Sequence, residues 1–215
     1  MNAIAVVAEK VFGCDGPASR GGRQRVTSWR LFIDMNLQSN DFELFGIPQQ
    51  FAQNRDVLDA RWKELQRQAH PDRFAAQGGA AQRVAMQWSV RVNEAYQRLK
   101  DPLKRAAYLC ELNGAPVNAE NNTAMPAAFL MQQMQWREAL EEACGLADLE
   151  ELAEQVAQAR RASLQACGVM IDQAQDFEKA VGQVRALMFI ERFAQEVNIR
   201  LDACHDGIDT AAGGQ

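Results

Sequence analysis

The sequence reads His70-Pro71-Asp72-Arg73 at one point and Asn93-Glu94-Ala95-Tyr96-Gln97-Arg98-Leu99-Lys100-Asp101-Pro102 further along. Both stretches mark the ends of helices. Proline lacks a backbone N–H and crowds the residue before it, so a helix has to end ahead of Pro71. Asp101 can cap a new helix whose first position is Pro102. The interval between them predicts one long helix over residues 80–100.

This long helix has a predicted partner before the loop at residues 70–79, which Gly78-Gly79 closes. Apolar side chains recur at helical spacing in both segments, as expected for helices that each bury one face. The stripes consist of Leu58, Trp62, Leu65 and Ala69 in residues 55–69, and of Ala81, Val84, Trp88, Val92, Ala95 and Leu99 in residues 80–100. Helices joined by a short loop pack as antiparallel neighbours, so we predict a helical hairpin.

Shorter helices flank the hairpin. Residues 41–45 form a turn of helix that Gly46 and Pro48 stop. The helix that begins at Pro102 is expected to end near residue 112, before Asn113-Gly114. We therefore predict a first helical domain over residues 40–112.

The rest of the chain is predicted to be helical as well. A linker over residues 113–125 precedes three helices, at about residues 126–143, 148–167 and 173–203. They predict a three-helix bundle over residues 126–205, followed by a disordered tail over residues 206–215. Since no segment has the alternating pattern of a strand, the fold class is all-α.

Residues 1–39 differ in composition from the helical segments. Glycine, proline and serine interrupt any periodicity in the first 34 residues, so we expect a disordered extension. A chain that started at Met35 would lead directly into ordered sequence. Our hypothesis is that residues 1–34 come from an over-extended gene start.

Composition argues against several classes of function. The formal net charge is −5, so general attraction to nucleic acid or to an anionic membrane is not expected. No apolar stretch is long enough to cross a bilayer. The five cysteines are widely spaced and odd in number, which favours a reducing compartment over a disulfide framework. Cys204-His205 is an isolated pair of metal-binding residue types, so we expect no metal and no cofactor.

The segments around His70 and Asn93 resemble the J-domain family. A helix with Lys63 and Arg67 on its outer face, the His70-Pro71-Asp72 tripeptide, a long helix and the pattern N-E-A-Y-x-x-L-x-D-P occur in the J-domain order. Arg73 stands where many J domains have lysine, which keeps the positive charge. The resemblance implies a chaperone-binding site made of His70, Pro71, Asp72, Arg73, Lys63 and Arg67.

Further segments are similar to the HscB family, the specialised J proteins of iron–sulfur cluster biogenesis. They are Phe42-Glu43-Leu44-Phe45-Gly46-Ile47-Pro48, Arg105-Ala106-Ala107-Tyr108-Leu109 and Ala128-Phe129-Leu130-Met131-Gln132-Gln133-Met134. The resemblance covers about residues 35–205. It implies a co-chaperone that stimulates the ATPase of HscA, a chaperone of the DnaK class, and brings it the cluster scaffold IscU. The chain lacks the C-x-x-C pairs of some eukaryotic relatives, which favours a bacterial cytoplasmic protein.

The second half offers an additional surface. In the helix after Pro126, one face carries Phe129, Trp136, Leu140 and Ala143. At about 100° per residue, Met131 and Met134 point to the opposite side. In the third helix, Phe189 lies roughly 140° from a stripe made of Ala180, Val184, Leu187, Ala194, Val197 and Leu201. These off-face residues either dock a partner or belong to a wider core that other helices cover.

The HscB resemblance favours docking of the scaffold. It implies that the scaffold-binding residues are Leu130, Met131, Met134, Gln135, Glu138, Glu142 and Phe189. Gln135 is a departure, because an acidic residue is expected there.

Three other interpretations stay open at this point, and the first is a purely structural helical protein with a chance tripeptide. A general J protein would serve DnaK on many clients, but such proteins typically have a Gly/Phe-rich linker and a β-rich client domain, and neither pattern is present. An enzyme could use His70 and Asp72 as an acid–base pair. A general base needs a positioned partner and a pocket. The sequence has only two histidines and no phosphate-binding or nucleophile motif, so we expect no enzymatic activity.

Overall fold

The computed structural model describes residues 39–118, 125 and 127–212, with side chains as far as His205 except those of Gln77 and Ala127. The predicted all-α class is confirmed, because the described residues contain helices and no strand. Seven α-helices are described: α1 Asp41–Phe45, α2 Arg55–Ala69, α3 Gly79–Lys100, α4 Pro102–Leu112, α5 Ala127–Glu142, α6 Leu146–Gly168 and α7 Phe177–Ala212. A 3₁₀ helix, Pro71–Gln77, joins α2 to α3, and a π-helical segment, Val169–Ala174, follows α6.

The described residues divide into two compact units. The first contains residues 39–49 and 53–100, and the second contains residues 50–52 and those from Asp101 onward. Helix α4, which the sequence assigned to the first domain, therefore lies in the second unit, where it packs on α6 and α7. Helix α7 continues to Ala212, into the segment assigned to a disordered tail. Residues 1–38 of the predicted extension and residues 119–124 of the predicted linker lie outside the described residues.

Local capping explains where the helices of the first unit begin and end. The side chain of Asn40 accepts a hydrogen bond from the backbone of Glu43, whose own side chain accepts one from the backbone of Asn40. Gly46 ends α1 with a φ of 61°, a conformation that glycine adopts without strain. Asn54 caps α2 by accepting from the N–H groups of Asp56 and Val57. These polar side chains satisfy backbone donors that a helix leaves unpaired.

The core of the first unit lies between α1 and the α2–α3 hairpin. Its most deeply buried large side chains are Phe42, Phe45, Leu58, Val92 and Leu99. Asp41 is also fully buried, and its carboxylate forms ion pairs with Arg91 at 2.6 Å and Arg98 at 3.0 Å. A buried charge is tolerated when it is paired in this way.

Two residues of the predicted stripes are less buried than expected. Val84 is half-buried, and Ala85 takes its place in the core. Trp62 is half-buried because it lies at the edge of the hairpin, where its ring stacks on Tyr96 with centroids 4.7 Å apart. Its indole N–H donates a hydrogen bond to the side chain of Asn93 there, as is usual for a partly buried tryptophan.

The second unit contains a three-helix bundle of α5, α6 and α7. Its central cluster consists of Trp136, Leu152, Val156, Ile190, Phe193 and Val197. Trp136 stacks on Phe193 with ring centroids 5.6 Å apart. The predicted positions Trp136, Val184, Leu187 and Val197 are buried, whereas Ala194 and Leu201 are half-buried.

Residues 50–52 are bound to the other parts of the second unit by polar contacts. The N–H groups of Phe51 and Ala52 donate to the carboxylate of Asp172 at 2.6 and 2.9 Å. Arg105 donates to the Phe51 carbonyl at 2.8 Å, and its guanidinium lies over the Phe51 ring. Burial lowers the pKa of Arg105. These contacts attach a short loop of chain to α4 and the π-helical segment.

Candidate functional site

The His70-Pro71-Asp72 tripeptide lies at the junction of α2 and the 3₁₀ helix. His70 ends α2 in an extended conformation, with φ −63° and ψ 125°. Its Nδ1 atom accepts a hydrogen bond from the N–H of Asp72 at 3.3 Å, and its carbonyl accepts one from the N–H of Arg73 at 3.1 Å. The sequence predicted a loop over residues 70–79. That prediction is wrong in part, because residues 71–77 form a 3₁₀ helix that begins with proline at its first position.

The two polar side chains of the tripeptide face solvent. The side chain of His70 is 58% exposed and that of Asp72 is 89% exposed. The imidazole Nδ1 and the carboxylate are 3.6 Å apart. An acid–base pair of an enzyme usually lies in a pocket that excludes water. This geometry instead presents both groups on a surface turn that a partner protein can reach.

The predicted basic residues lie beside this turn and differ in their exposure and in their contacts. Lys63 and Arg67 are exposed on α2, and Arg67 forms an ion pair with Glu64 on the same helix. Arg73 donates to the carbonyl of Arg67 at 3.2 Å, so its guanidinium interacts with the last turn of α2. A positive group at this position also complements the helix dipole. Arg73 therefore satisfies one of the carbonyl groups at the end of α2.

Polar residues between α2 and α3 were not predicted as part of the site. Asn93 accepts hydrogen bonds from the indole of Trp62 at 3.0 Å and the amide of Gln66 at 2.7 Å. Gln66 also donates to the carbonyl of Ser89 at 3.2 Å, and the Ser89 hydroxyl donates to the carbonyl of Ala69 at 2.9 Å. We call these four contacts the polar ladder. Part of the signal was in the sequence, since Asn93 belongs to the N-E-A-Y pattern.

Tyr96 of the same pattern joins the two helices further from the loop. Its hydroxyl donates to Asp59 at 2.8 Å. This hydrogen bond lowers the pKa of Asp59 and raises that of Tyr96, because it favours the ionised carboxylate and the protonated phenol. The Tyr96–Asp59 contact thus joins α2 to α3 away from the loop, whereas the polar ladder reaches the end of α2 beside the tripeptide.

The predicted scaffold-binding residues separate into two groups. Leu130, Met131 and Met134 are 45%, 63% and 72% exposed, and form what we call the methionine patch of α5. The polar residues of the set are also exposed: Gln135, Glu138 and Glu142.

Phe189 forms the second group on its own. It is half-buried and packs against the central cluster, with its ring stacked on Phe193 at 6.2 Å and edge-on to Phe129 at 5.8 Å. The Arg137 guanidinium lies 5.9 Å from its centroid. Phe189 is therefore partly core and not a free surface residue, because α5 packs over the side of α7 that carries it.

Neither a metal site nor a membrane span is found in the part of the chain that the structure describes. No group of three or more potential ligands lies close together among those residues, and Cys204 and His205 sit on α7. None of the described helices is both long and apolar enough to cross a bilayer.

Comparison with known proteins identifies the family. A protein named co-chaperone protein HscB homolog from Burkholderia thailandensis is 49% identical over 171 residues, which cover 78% of this chain and 97% of that protein. This chain belongs to the HscB family of co-chaperones. The homologue from Burkholderia multivorans is 48% identical over the same coverage. These HscB relatives are named as co-chaperones, and no catalytic activity is indicated.

Solved structures agree with the HscB assignment. The chaperone HscB from Vibrio cholerae is 36% identical, has a TM-score of 0.67, and matches 77% of this chain and 99% of that chain. Human co-chaperone protein HscB is 25% identical, has a TM-score of 0.76, and matches 88% and 96% of the two chains. Residues 125–198 also match the family model described as the HSCB C-terminal oligomerisation domain. The expected arrangement of a J domain followed by a C-terminal helical domain is thus confirmed.

Proposed function

We propose that this HscB-family protein stimulates the ATPase of an HscA or DnaK-class chaperone and delivers an IscU-type iron–sulfur scaffold to it. In this way it would aid the maturation of iron–sulfur proteins. The observation that carries the proposal is the exposed tripeptide on the α2–α3 hairpin: His70 and Asp72 face solvent on a turn with few free torsions. Since the turn is already ordered, binding costs it little conformational entropy.

The chaperone contact is centred on the 3₁₀ turn and extends along α2. His70, Pro71 and Asp72 form its middle. Lys63 and Arg67 add exposed positive charge, which speeds encounter with an acidic partner more than it strengthens the final complex. Arg73 contributes by closing the end of α2, in addition to the positive charge that it places beside the turn.

The scaffold contact is the methionine patch. Methionine is flexible and polarisable, and an exposed apolar patch edged by charge suits an adaptable protein interface. Leu130, Met131 and Met134 supply the apolar part, and Gln135, Glu138 and Glu142 edge it. Phe189 supports this surface from within the bundle, through its contacts with Phe129 and Arg137.

Having both contacts on one chain is the physical basis of delivery. A scaffold held by the second unit is present at the chaperone at a high effective concentration. The protein itself needs no cofactor for this role, and we place it in the bacterial cytoplasm. Nucleic acid and membranes are not among its proposed partners.

The variant His70→Gln tests the chaperone contact. It removes the imidazole while leaving a side chain that is exposed and outside the core. We expect loss of ATPase stimulation with purified HscA, with an unchanged circular dichroism spectrum and melting temperature. The matched control is His205→Gln, the other exposed histidine, which should stimulate like the wild type. Stimulation by His70→Gln at the wild-type level would show that the tripeptide is not the active contact.

A general J protein that serves DnaK on other clients is the alternative function. The same ATPase assay distinguishes the two when it is run with HscA and with DnaK, each with and without IscU. The proposal predicts that IscU increases stimulation of HscA and that the methionine patch is required for the increase. Equal stimulation of both chaperones, without an effect of IscU, would favour the alternative.

A second copy of this chain is a competing occupant of the methionine patch. The family model that matches residues 125–198 is described as an oligomerisation domain. Sedimentation velocity at several concentrations addresses this directly. A dimer that dissociates when Met131 and Met134 are replaced by alanine would assign the patch to self-association.

A further inference from the structure

Ser89 lies on α3 opposite the last residue of α2, Ala69, which directly precedes the tripeptide. Its hydroxyl donates a hydrogen bond of 2.9 Å to the carbonyl of Ala69. That carbonyl belongs to the peptide group that joins Ala69 to His70. Ser89 is half-buried and Ala69 is fully buried, so the contact is partly shielded from water.

The carbonyl of Ala69 needs a partner of this kind. The last four carbonyl groups of an α-helix accept no hydrogen bond from within the helix. Ala69 is the last residue of α2, and His70 caps it. Two of these four groups are bound by side chains: Ser89 binds the carbonyl of Ala69, and Arg73 binds that of Arg67. Side chains of α3 and of the 3₁₀ helix thus satisfy two carbonyl groups at the end of α2.

Ser89 is also the last step of the polar ladder. Its backbone carbonyl accepts from Gln66, which in turn donates to Asn93. Both the carbonyl and the hydroxyl of Ser89 are therefore bonded to α2. Every other contact of the ladder involves a side chain of α2, whereas the hydroxyl of Ser89 holds the peptide group next to His70.

We propose that Ser89 is a positioning residue for His70-Pro71-Asp72. By fixing the orientation of the Ala69–His70 peptide, it keeps the tripeptide in the conformation that the chaperone binds. Without the hydroxyl, this peptide can rotate and the competent conformation becomes a fraction of the population. The apparent affinity is then the intrinsic affinity multiplied by that fraction, while the complex, once formed, is the same. This inference rests on the proposed stimulation of a chaperone through the tripeptide.

The test is ATPase stimulation by the full-length chain as its concentration is varied. For Ser89→Ala we expect the half-maximal concentration to rise about tenfold, which corresponds to ~1.4 kcal/mol, with an unchanged maximal stimulation. Ser89→Thr restores the hydroxyl and should restore the half-maximal concentration. The matched control is Tyr96→Phe, which removes another hydroxyl that joins α2 to α3, at Asp59 and away from the loop. It should stimulate like the wild type.

Thermal melting of each variant accompanies the assay, because a general loss of folding has to be separated from mispositioning. If Ser89→Ala melts below the assay temperature, Ser89→Cys replaces it, since a thiol is a weak donor. Wild-type stimulation by the Ser89 variant, or an equal defect in Tyr96→Phe, overturns the positioning role. The role of the tripeptide is judged separately from His70→Gln: an inactive His70→Gln with a normal Ser89→Ala refutes this inference alone.

Discussion

At the scale of single residues, Phe189 and the side chains of the methionine patch differ in how far they are packed against other side chains. Phe189 packs on Phe193 and Phe129, whereas Met131 and Met134 are mostly exposed. We expect Phe189→Ala to lower the free energy of unfolding by about 2 kcal/mol, because apolar and ring contacts are lost. Replacing Leu130, Met131 and Met134 together by alanine should change it by less than ~1 kcal/mol. Urea denaturation followed by circular dichroism measures both.

The same triple variant should reduce IscU binding by at least about a hundredfold, since burying each side chain at an interface contributes about 1.5–3 kcal/mol. Isothermal titration calorimetry measures the affinity. Met86→Ala is the control, because Met86 is 58% exposed on α3 of the first unit. A triple variant that unfolds easily would mean that the patch is core, and unchanged IscU affinity would rule out docking there.

The buried thiols give a second prediction for single residues. Burial raises the pKa of Cys110 to about 11 and that of Cys167 to about 12, whereas Cys144 is exposed. Raised thiol pKa values mean that unfolding releases protons at alkaline pH. Stability should therefore be constant below about pH 9 and fall as the pH rises from about 9 to about 12, the folded-state pKa of Cys167. Cys110→Ala/Cys167→Ala should remove most of this alkaline fall. An equal fall in the variant during urea denaturation at pH 8 and 10 would contradict the assignment.

Among elements, helix α2 carries the charge that is expected to guide the chaperone. Lys63 and Arg67 are exposed on it, although Arg67 is paired with Glu64. Reversing both residues to glutamate should lower the association rate with HscA by about tenfold at low salt and flatten its salt dependence, because exposed charges mainly steer encounter. Stopped-flow binding at several salt concentrations measures this rate. The dissociation rate should change little.

The control reverses the same amount of charge on helices of the second unit, at Lys104 of α4 and Arg192 of α7, which are also exposed. Its association rate should stay close to that of the wild type. If both double variants slow association equally, net charge and not the face of α2 determines the rate. An unchanged rate for the α2 variant would remove Lys63 and Arg67 from the contact.

For the whole molecule, the proposal requires the two contacts to be on one chain. A mixture of His70→Gln with the triple variant of the methionine patch contains one intact copy of each contact, on separate chains. We expect this mixture to show less than about a tenth of the extra stimulation that IscU gives with the wild type, because the effective concentration is lost. Steady-state ATPase assays with HscA and IscU measure it. Wild-type protein at half the total concentration is the control, and full recovery by the mixture would refute delivery in cis.

Local physical chemistry made much of the fold predictable. Asn54 and the proline at residue 71 set the ends of α2, which the sequence placed at the observed residues 55–69. Asp101 and Pro102 did the same for the start of α4. Caps and prolines act on their immediate neighbours, so their effect can be read from consecutive residues. Helical periodicity likewise placed Met131 and Met134 on the side of α5 away from Trp136, whereas the roles of the tripeptide and of the methionine patch were predicted from the family resemblance.

The all-α class, the helices and the faces on which Met131 and Met134 lie could therefore be predicted from the order of residues. The state of Phe189 could not, because periodicity gives the direction of a side chain and not the helix that covers it. The same holds for Ser89: its hydrogen bond to Ala69 joins residues on two helices. A contact of this kind depends on the register of the hairpin, and packing of the whole core fixes that register.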